Sequence, residues 1–543
     1  MKEMTTFNKI ESTQFTKDPW DMDIKEVSIS ETKPKDRNNG YPITVPKWYT
    51  KLNEKIPGVI TWFLLLLPII CSLLGYPEVV IVYVSFLTIY WSYRGVVFVY
   101  GLILAYVRMK RDLSTDWVAE IEKLNKKDLK YLYICPFVNE GMDVLEPTIE
   151  AFSKQDIGPE KITVIFALEE KYKDSAIPKC DLLKRKYGKY FNEMSYIVHP
   201  FGIEGEVVGV KGANINWATR HFVKLLEARG EDLEDYLLFT CDSDLRPHPK
   251  LFSAITYKYH TVEKPLRTFF ASAIHTFQNN VWRVPPLNRV FAQSLTLVTA
   301  HNWTIQKGMR DTWSAYFVNL KTVDEAGYWD PEISNDDTYF YWNSIVRFNG
   351  DFKGEEVYIP TYNDAVENET FIKSHKSLYK QQHRWGWGII VFPITMAGFY
   401  KNNGISFLKK LSLFVKLYHN QLFYLTVIYI LTLSTPIMNI LSPEFQYSSA
   451  SYNLARIMSY ILTSLMFLNI PIYIIRRKIV PIPKDWSIWR KIYDFFEIAL
   501  ITVNMLTFGF IPHVQAQTEM LLNMFSKKYY ITDKVKMREK PIS

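Results

Sequence analysis

Two pairs of carboxylates stand out for the chemistry they could do. Asp242 and Asp244 close the stretch Tyr236 to Pro247, YLLFTCDSDLRP, where an apolar, β-prone run gives way to Asp-x-Asp and then a proline. Two carboxylates one residue apart at the C-terminal end of a buried strand can share a hard divalent cation, and that cation can hold a phosphate. A solvated turn would carry the same residues, so the pattern alone leaves both readings open. Asp336 and Asp337 open an amphipathic helix that runs to about Phe348. Helix N-termini favour negative charge, so capping is the simple reading and general-base work the functional one. Two strand ends, PFVNEG (136–141) and ALEE (167–170, with Glu169 and Glu170), add further carboxylates and amides. Finally, QQHRW (381–385) sets Arg384 and Trp385 just ahead of an apolar stretch, where they would also serve as membrane anchors.

Elements of one kind are needed to bring these residues together. Between about Lys130 and Phe277, short apolar strands alternate with helical segments, the pattern of a parallel α/β sheet. Lys130 to Phe137, Lys161 to Leu168, Ser195 to His199, Tyr236 onward and Thr268 to Phe277 read as strands. Helices are predicted from about Asp112 to Lys127, over 144–153 and over 212–229. In such sheets ligands bind beyond the strand C-termini, where Asp242, Glu169 and the PFVNEG loop all fall.

The rest of the chain belongs to a membrane. Of 543 residues 48% are hydrophobic, and they come in blocks. Gly58 to Tyr76, Leu417 to Leu441, Ile457 to Ile475 and Ile498 to Thr518 are uncharged and mostly apolar, each near the length of a span. Val79 to Val107 is interrupted only by Arg94 and, at about 1.5 Å per residue, overshoots the roughly 30 Å hydrocarbon core. Arg94 is therefore expected at the interface, snorkelling toward headgroups. The net charge of +8 gathers beside these blocks, in RMKR (108–111), KK (409–410) and RRK (476–478). That placement fits the cytoplasmic side of a bilayer, and the soluble middle has no basic stripe for nucleic acid. The four cysteines are scattered without a C-x-x-C pair, which indicates neither a zinc site nor a disulfide framework. Counted strictly, the apolar runs put the basic tail outside, against the positive-inside expectation.

Taken together, a strand-end Asp-x-Asp, an Asp-Asp helix start and Q-x-x-R-W ahead of apolar runs resemble the membrane-embedded family 2 glycosyltransferases, such as cellulose, chitin and hyaluronan synthases. The resemblance covers roughly residues 57–535 and implies a cytoplasmic GT-A (Rossmann-like) α/β domain inserted between transmembrane helices. It implies that Asp242 and Asp244 bind Mg2+ or Mn2+ and through it the donor diphosphate. It matches Asp337 to the family's catalytic base, with Asn335 and Asp336 replacing the Thr and Glu of T-E-D. Gln381, Arg384 and Trp385 match residues that hold the donor pyrophosphate and the acceptor sugar. Glu169 and Glu170 stand where the family has an Asp pair near the nucleotide, and Lys211 of GVKGANINWA where a lysine approaches it. YYITDK (529–534), with Thr532 and Lys534, is similar to the F-x-V-T-x-K gating loop of cellulose synthases, which lies on the cytoplasmic face.

The implied organisation is a flexible cytoplasmic tail (1–56), two transmembrane helices (57–107), the glycosyltransferase domain (112–375) and interfacial helices bearing QQHRW (376–410). Further transmembrane helices (411–511) and an interfacial helix with a gating-loop-like tail (512–543) complete it. The expected activity is inverting transfer from a nucleotide sugar, a UDP-sugar, to a growing polysaccharide at the cytoplasmic face of the plasma membrane, with export. The alternative is a non-processive enzyme acting on a membrane lipid acceptor.

Overall fold

The structure, a computed structural model, describes residues 37–38, 41–42, 45–204, 206, 211–306, 310–419 and 424–524. Seven strands form one mixed sheet: β1 (Lys130–Phe137), β2 (Ile162–Glu169), β3 (Glu193–His199), β4 (Tyr236–Thr240), β5 (Thr268–Ser272), β6 (Tyr316–Asn319) and β7 (Lys353–Val357). Their order is β7-β5-β6-β4-β1-β2-β3. The β1, β2, β3 and β4 pairings are parallel, and β6 is antiparallel to both its neighbours. This is the α/β fold class expected from the alternating pattern.

The strands read as continuous apolar runs because both faces are covered. Leu132, Ile134 and Leu238 enter the core on one face, while Tyr133, Phe166 and Phe239 enter the core on the other. On that second face Tyr133 stacks on Phe152 at 3.9 Å between centroids, and Phe239 on Phe317 at 4.1 Å. The chain moves from β1 outward through β2 and β3, then returns to place β4 on the other side of β1. The crevice beyond the C-terminal ends of β1 and β4 is therefore the switch point of the sheet.

The helices that shape this crevice and pack around it include α1 (Lys47–Leu73), α2 (Pro77–Ser114), α3 (Lys211–Ala228), α4 (Pro286–Ile305), α5 (Asp336–Arg347), α6 (Phe371–Gly386), α7 (Phe407–Tyr418), α8 (Ile488–Phe496) and α9 (Ile511–Leu521). Among the described residues four helical stretches are long and apolar enough to cross a membrane: Lys47–Leu73, Pro77–Ser114, Ser449–Ile479 and Ile488–Leu521. Thr426–Leu441 is a shorter apolar helix.

The run Val79 to Val107 overshoots a single span, as expected, and two other expectations need correction. It forms one helix, and beyond Arg94, Leu102, Ala105 and Met109 of α2 enter the core of the α/β domain. Part of its apolar length thus reflects protein packing. Because α2 continues to Ser114, the predicted helix over 112–127 shrinks to Trp117–Leu124, capped by the Asp116 carboxylate. The predicted strand Thr268 to Phe277 breaks after Ser272, whose hydroxyl donates to the Ile359 carbonyl at 2.5 Å and accepts from the Ile274 amide at 2.9 Å. His275–Thr276 then joins a small three-stranded sheet with Arg246–Pro247 and Thr361–Tyr362.

The last apolar run is also interrupted. A helix over Leu500–Leu506 ends, the chain turns, and α9 runs beside α1. Trp62 Nε1 donates to Thr518 Oγ1 at 3.0 Å, and the Lys55 ammonium reaches the Leu521 carbonyl. Rising positions on α1 meet falling positions on α9, so the two are antiparallel and α9 ends beside the start of α1.

Candidate active site

A cleft of about 610 Å³ opens at the switch point. Strand ends supply one wall: Glu140 after β1, Glu169 ending β2, and Asp242 and Asp244 after β4 all line it. Asp242 Oδ1 lies 3.2 Å from the Lys211 ammonium, and its side chain is 44% exposed, so it faces open cleft. Asp244 is turned inward; its Oδ2 accepts the Asp364 amide at 3.0 Å and its carbonyl accepts from Asn279 at 3.1 Å. Ser243, between them, donates to Glu140 Oε1 at 3.0 Å, which ties the β1 and β4 loops together.

Lys211 starts α3 and is half-buried under the site. Burial alone would lower its pKa, but Asp242, Asp336 and Asp337 outweigh that and hold it raised, so it is a fixed cation. It also donates to the Ser314 carbonyl at 3.0 Å. The glycine after it has a steric role. A Cβ on Gly212 would collide with the Asp336 side chain, so only glycine lets α3 and α5 approach this closely.

Asp336 and Asp337 occupy the first turn of α5 and both line the cleft. Burial pushes the Asp336 carboxyl up to about 7, Asp337 adding to the rise and Lys211 opposing it. Its Oδ2 has no hydrogen-bond partner among the described residues. Burial raises Asp337 as well, against the pull of Lys211, the Thr338 amide and Arg384. Asp337 Oδ1 accepts that amide at 2.7 Å. The two carboxyls titrate as a unit.

The far wall comes from α6, which brings Gln381, Arg384 and Trp385 to the cleft. The next residue, Gly386, packs against α9, where an added Cβ would lie 3.0 Å from His513 Cα and 3.1 Å from Ala516 Cβ. His383 Nε2 and Trp387 Nε1 both reach Glu519 Oε2, at 2.8 and 3.1 Å, and Tyr379 donates to Gln515 at 2.6 Å. Through α9 the Q-x-x-R-W helix is braced against α1.

Most of the expected residues therefore converge. Glu170 does not: its carboxylate accepts the Phe201 amide at 2.9 Å and sits 3.6 Å from Lys173, outside the cleft. Thr532 and Lys534 lie outside the described residues. The sequence reading missed His275, Trp313 and Ser314, which line the cleft. His275 is carried in by the break after β5. Burial lowers its pKa to about 4 despite Asp242 and Asp244, so the ring is neutral near pH 7. No motif marks these positions, since their role comes from how the chain folds back.

Asp242 and Asp244 supply two hard oxygen ligands on one cleft wall. Among the described residues no three His, Cys, Asp or Glu side chains form a cage. That donor set suits Mg2+ or Mn2+, which bind through one or two carboxylates and complete their shell with water and substrate phosphates.

No protein-family model matches this chain, and no curated protein does. Among solved structures it resembles, in coarse outline, the mannosyltransferase PcManGT from Pyrobaculum calidifontis in complex with GDP-Man and Mn2+, at 12% identity and a TM-score of 0.39, over 78% of this chain and 99% of that one. S. aureus TarS 1-349 in complex with UDP-GlcNAc gives 12% identity and 0.32, over 75% and 95%. GalNAc-T7 with UDP, GalNAc and Mn2+ gives 10% and 0.30, over 56% and 59%. These neighbours are glycosyltransferases, and at such scores no residue role is carried over from them.

Proposed function

We propose that this protein is a membrane-bound inverting glycosyltransferase of the family 2 type. It transfers sugar from a nucleotide sugar, a UDP-sugar, to a growing polysaccharide at the cytoplasmic face of the membrane. One observation carries the reading: a single cleft gathers Asp242, Asp244, Lys211, Asp336, Asp337, Arg384 and Trp385 from four distant stretches of sequence.

In the reaction, Asp337 accepts the proton of an acceptor hydroxyl as its oxygen attacks the anomeric carbon. The bond to the diphosphate breaks on the opposite face, its electron pair leaves with the phosphate oxygen, and the configuration inverts. Lys211 and Arg384 are the fixed cations beside that oxygen. Asp242 and Asp244 would hold Mg2+ or Mn2+, which when bound offsets further charge on the diphosphate. Trp385 offers an aromatic face to the acceptor sugar. The antiparallel pairing of α9 with α1 supports a cytoplasmic tail, because the last apolar run then turns back to the side from which α1 starts.

Incubating membranes with radiolabelled UDP-sugars and Mg2+ or Mn2+ tests the acceptor. The reading expects a high-molecular-weight product, and addition of a single sugar would contradict it. A second reading, a lipid acceptor, is favoured by two apolar grooves of about 390 and 290 Å³ between α1, Thr426–Leu441 and α9. They share Trp62, Phe510 and Val514, and the first reaches Glu519 beside α6. Label that extracts into organic solvent would favour it.

A further inference from the structure

The cleft has a floor that no motif announces, the strap 310–314 leading into β6. Its consecutive residues hold different parts of the site. The Arg310 guanidinium is buried, donates to the Trp303 carbonyl at 2.6 and 3.1 Å and to the Gly354 carbonyl at 2.9 Å, and pairs with Glu356. The Thr312 hydroxyl, fully buried, donates to the backbone carbonyl of Asp337. Trp313 lines the cleft, and the Ser314 carbonyl receives Lys211. Between these, Asp311 points away from the site, toward α7.

There it meets Lys416. The ammonium is 2% exposed and forms an ion pair with Asp311 Oδ1 at 2.6 Å. It donates to the Tyr341 hydroxyl at 3.0 Å and sits over the rings of Tyr341 and Trp342, 4.3 and 5.1 Å from their centroids. Both aromatics belong to α5, whose first turn carries Asp336 and Asp337. One buried cation thus grips the strap under the base and the helix that bears it.

Helix α7 is turned inside out. Phe407, Leu408, Leu411 and Val415 form an outward apolar stripe, 46 to 76% exposed, while Lys416 faces the domain with Leu413 and Leu417. A buried ammonium costs free energy unless it is paired, so Lys416 keeps this place only while the strap and α5 are both seated.

We infer that Lys416 and Asp311 are positioning residues for the transfer reaction: the Asp311–Lys416–Tyr341 contact sets Asp337, and through α7 ties the site to a helix with an outward apolar stripe. This rests on Asp337 being the base.

The test uses the full-length protein in nanodiscs, with Asp311→Asn, Lys416→Gln and the double variant Asp311→Leu with Lys416→Met. The double variant replaces a buried pair by apolar groups of similar size, which folded proteins tolerate. In folded protein, kcat should fall about 30-fold in each, because small displacements of a reacting group cost orders of magnitude. UDP affinity should stay within about threefold, and the double variant should lose no more than the worse single one, since the pair acts as a unit. Unchanged kcat, a parallel loss of kcat and UDP affinity, or loss of folded protein in every variant would overturn the inference. Asp337→Asn, assayed alongside, separates the two claims. Full turnover there removes the base assignment, whereas an inactive Asp337→Asn with full turnover in the Lys416 variants removes only this one.

Discussion

Asp242–Asp244 and Asp336–Asp337 are built from the same residue type and face one cleft, yet their surroundings differ. In the strand-end pair Asp242 is half-exposed beside Lys211, whereas Asp244 is buried and fixed by a backbone amide. The helix-start pair is enclosed, with Asp336 against Gly212 and its own neighbour, so its carboxyls hold a proton to higher pH. On the proposed reading, burial and like charge, rather than sequence, would separate a pair that attracts cations from one that exchanges protons.

The sharpest way to break this comparison is Asp337→Asn. Turnover should fall about 1,000-fold, the middle of the range for a general base, while UDP binding by calorimetry changes little. Asp244→Ala should do the reverse, weakening UDP binding in Mn2+ about 10- to 100-fold, and EDTA should weaken the wild type equally. Unchanged affinity in both would reduce Asp242–Asp244 to a turn.

The pH dependence sharpens the contrast further. The base must be ionised to work, and burial raises Asp337 above the usual carboxylate range, so kcat should be full at high pH and fall as pH drops through that raised range. Lys211→Met removes the cation that opposes this rise and should move that limb up. The smallest effect is on stability. A carboxyl raised in the folded state destabilises the fold as pH rises through about 7, so Asp336→Asn should raise the Tm by about 2 °C at pH 8.5 and by less at pH 5.5.

Sequence pattern carried the strands, because a strand buried on both faces has few ways to be written, and it carried the carboxylates at their ends. It also led to α6 and its Arg384 and Trp385. It showed that Val79 to Val107 overshoots a single span but not where the surplus goes, since only packing places Leu102, Ala105 and Met109 in the α/β core. It could not locate His275, whose place depends on the Ser272 hydroxyl bending a strand, nor the strap under Asp337, which is defined by long-range contacts. Glu170 was placed with Glu169 by the family resemblance, but the chain turns between Glu169 and Glu170 and sends the second carboxylate to the Phe201 amide.

The central claim is that this cleft transfers sugar from a nucleotide. Its most direct test is a donor-consumption panel of UDP- and GDP-sugars on the purified protein in nanodiscs with Mn2+, with Asp337→Asn as the matched blank. The account predicts at least one UDP-sugar consumed by the wild type and spared by the variant. Consumption of none, or equal consumption by both, would contradict it.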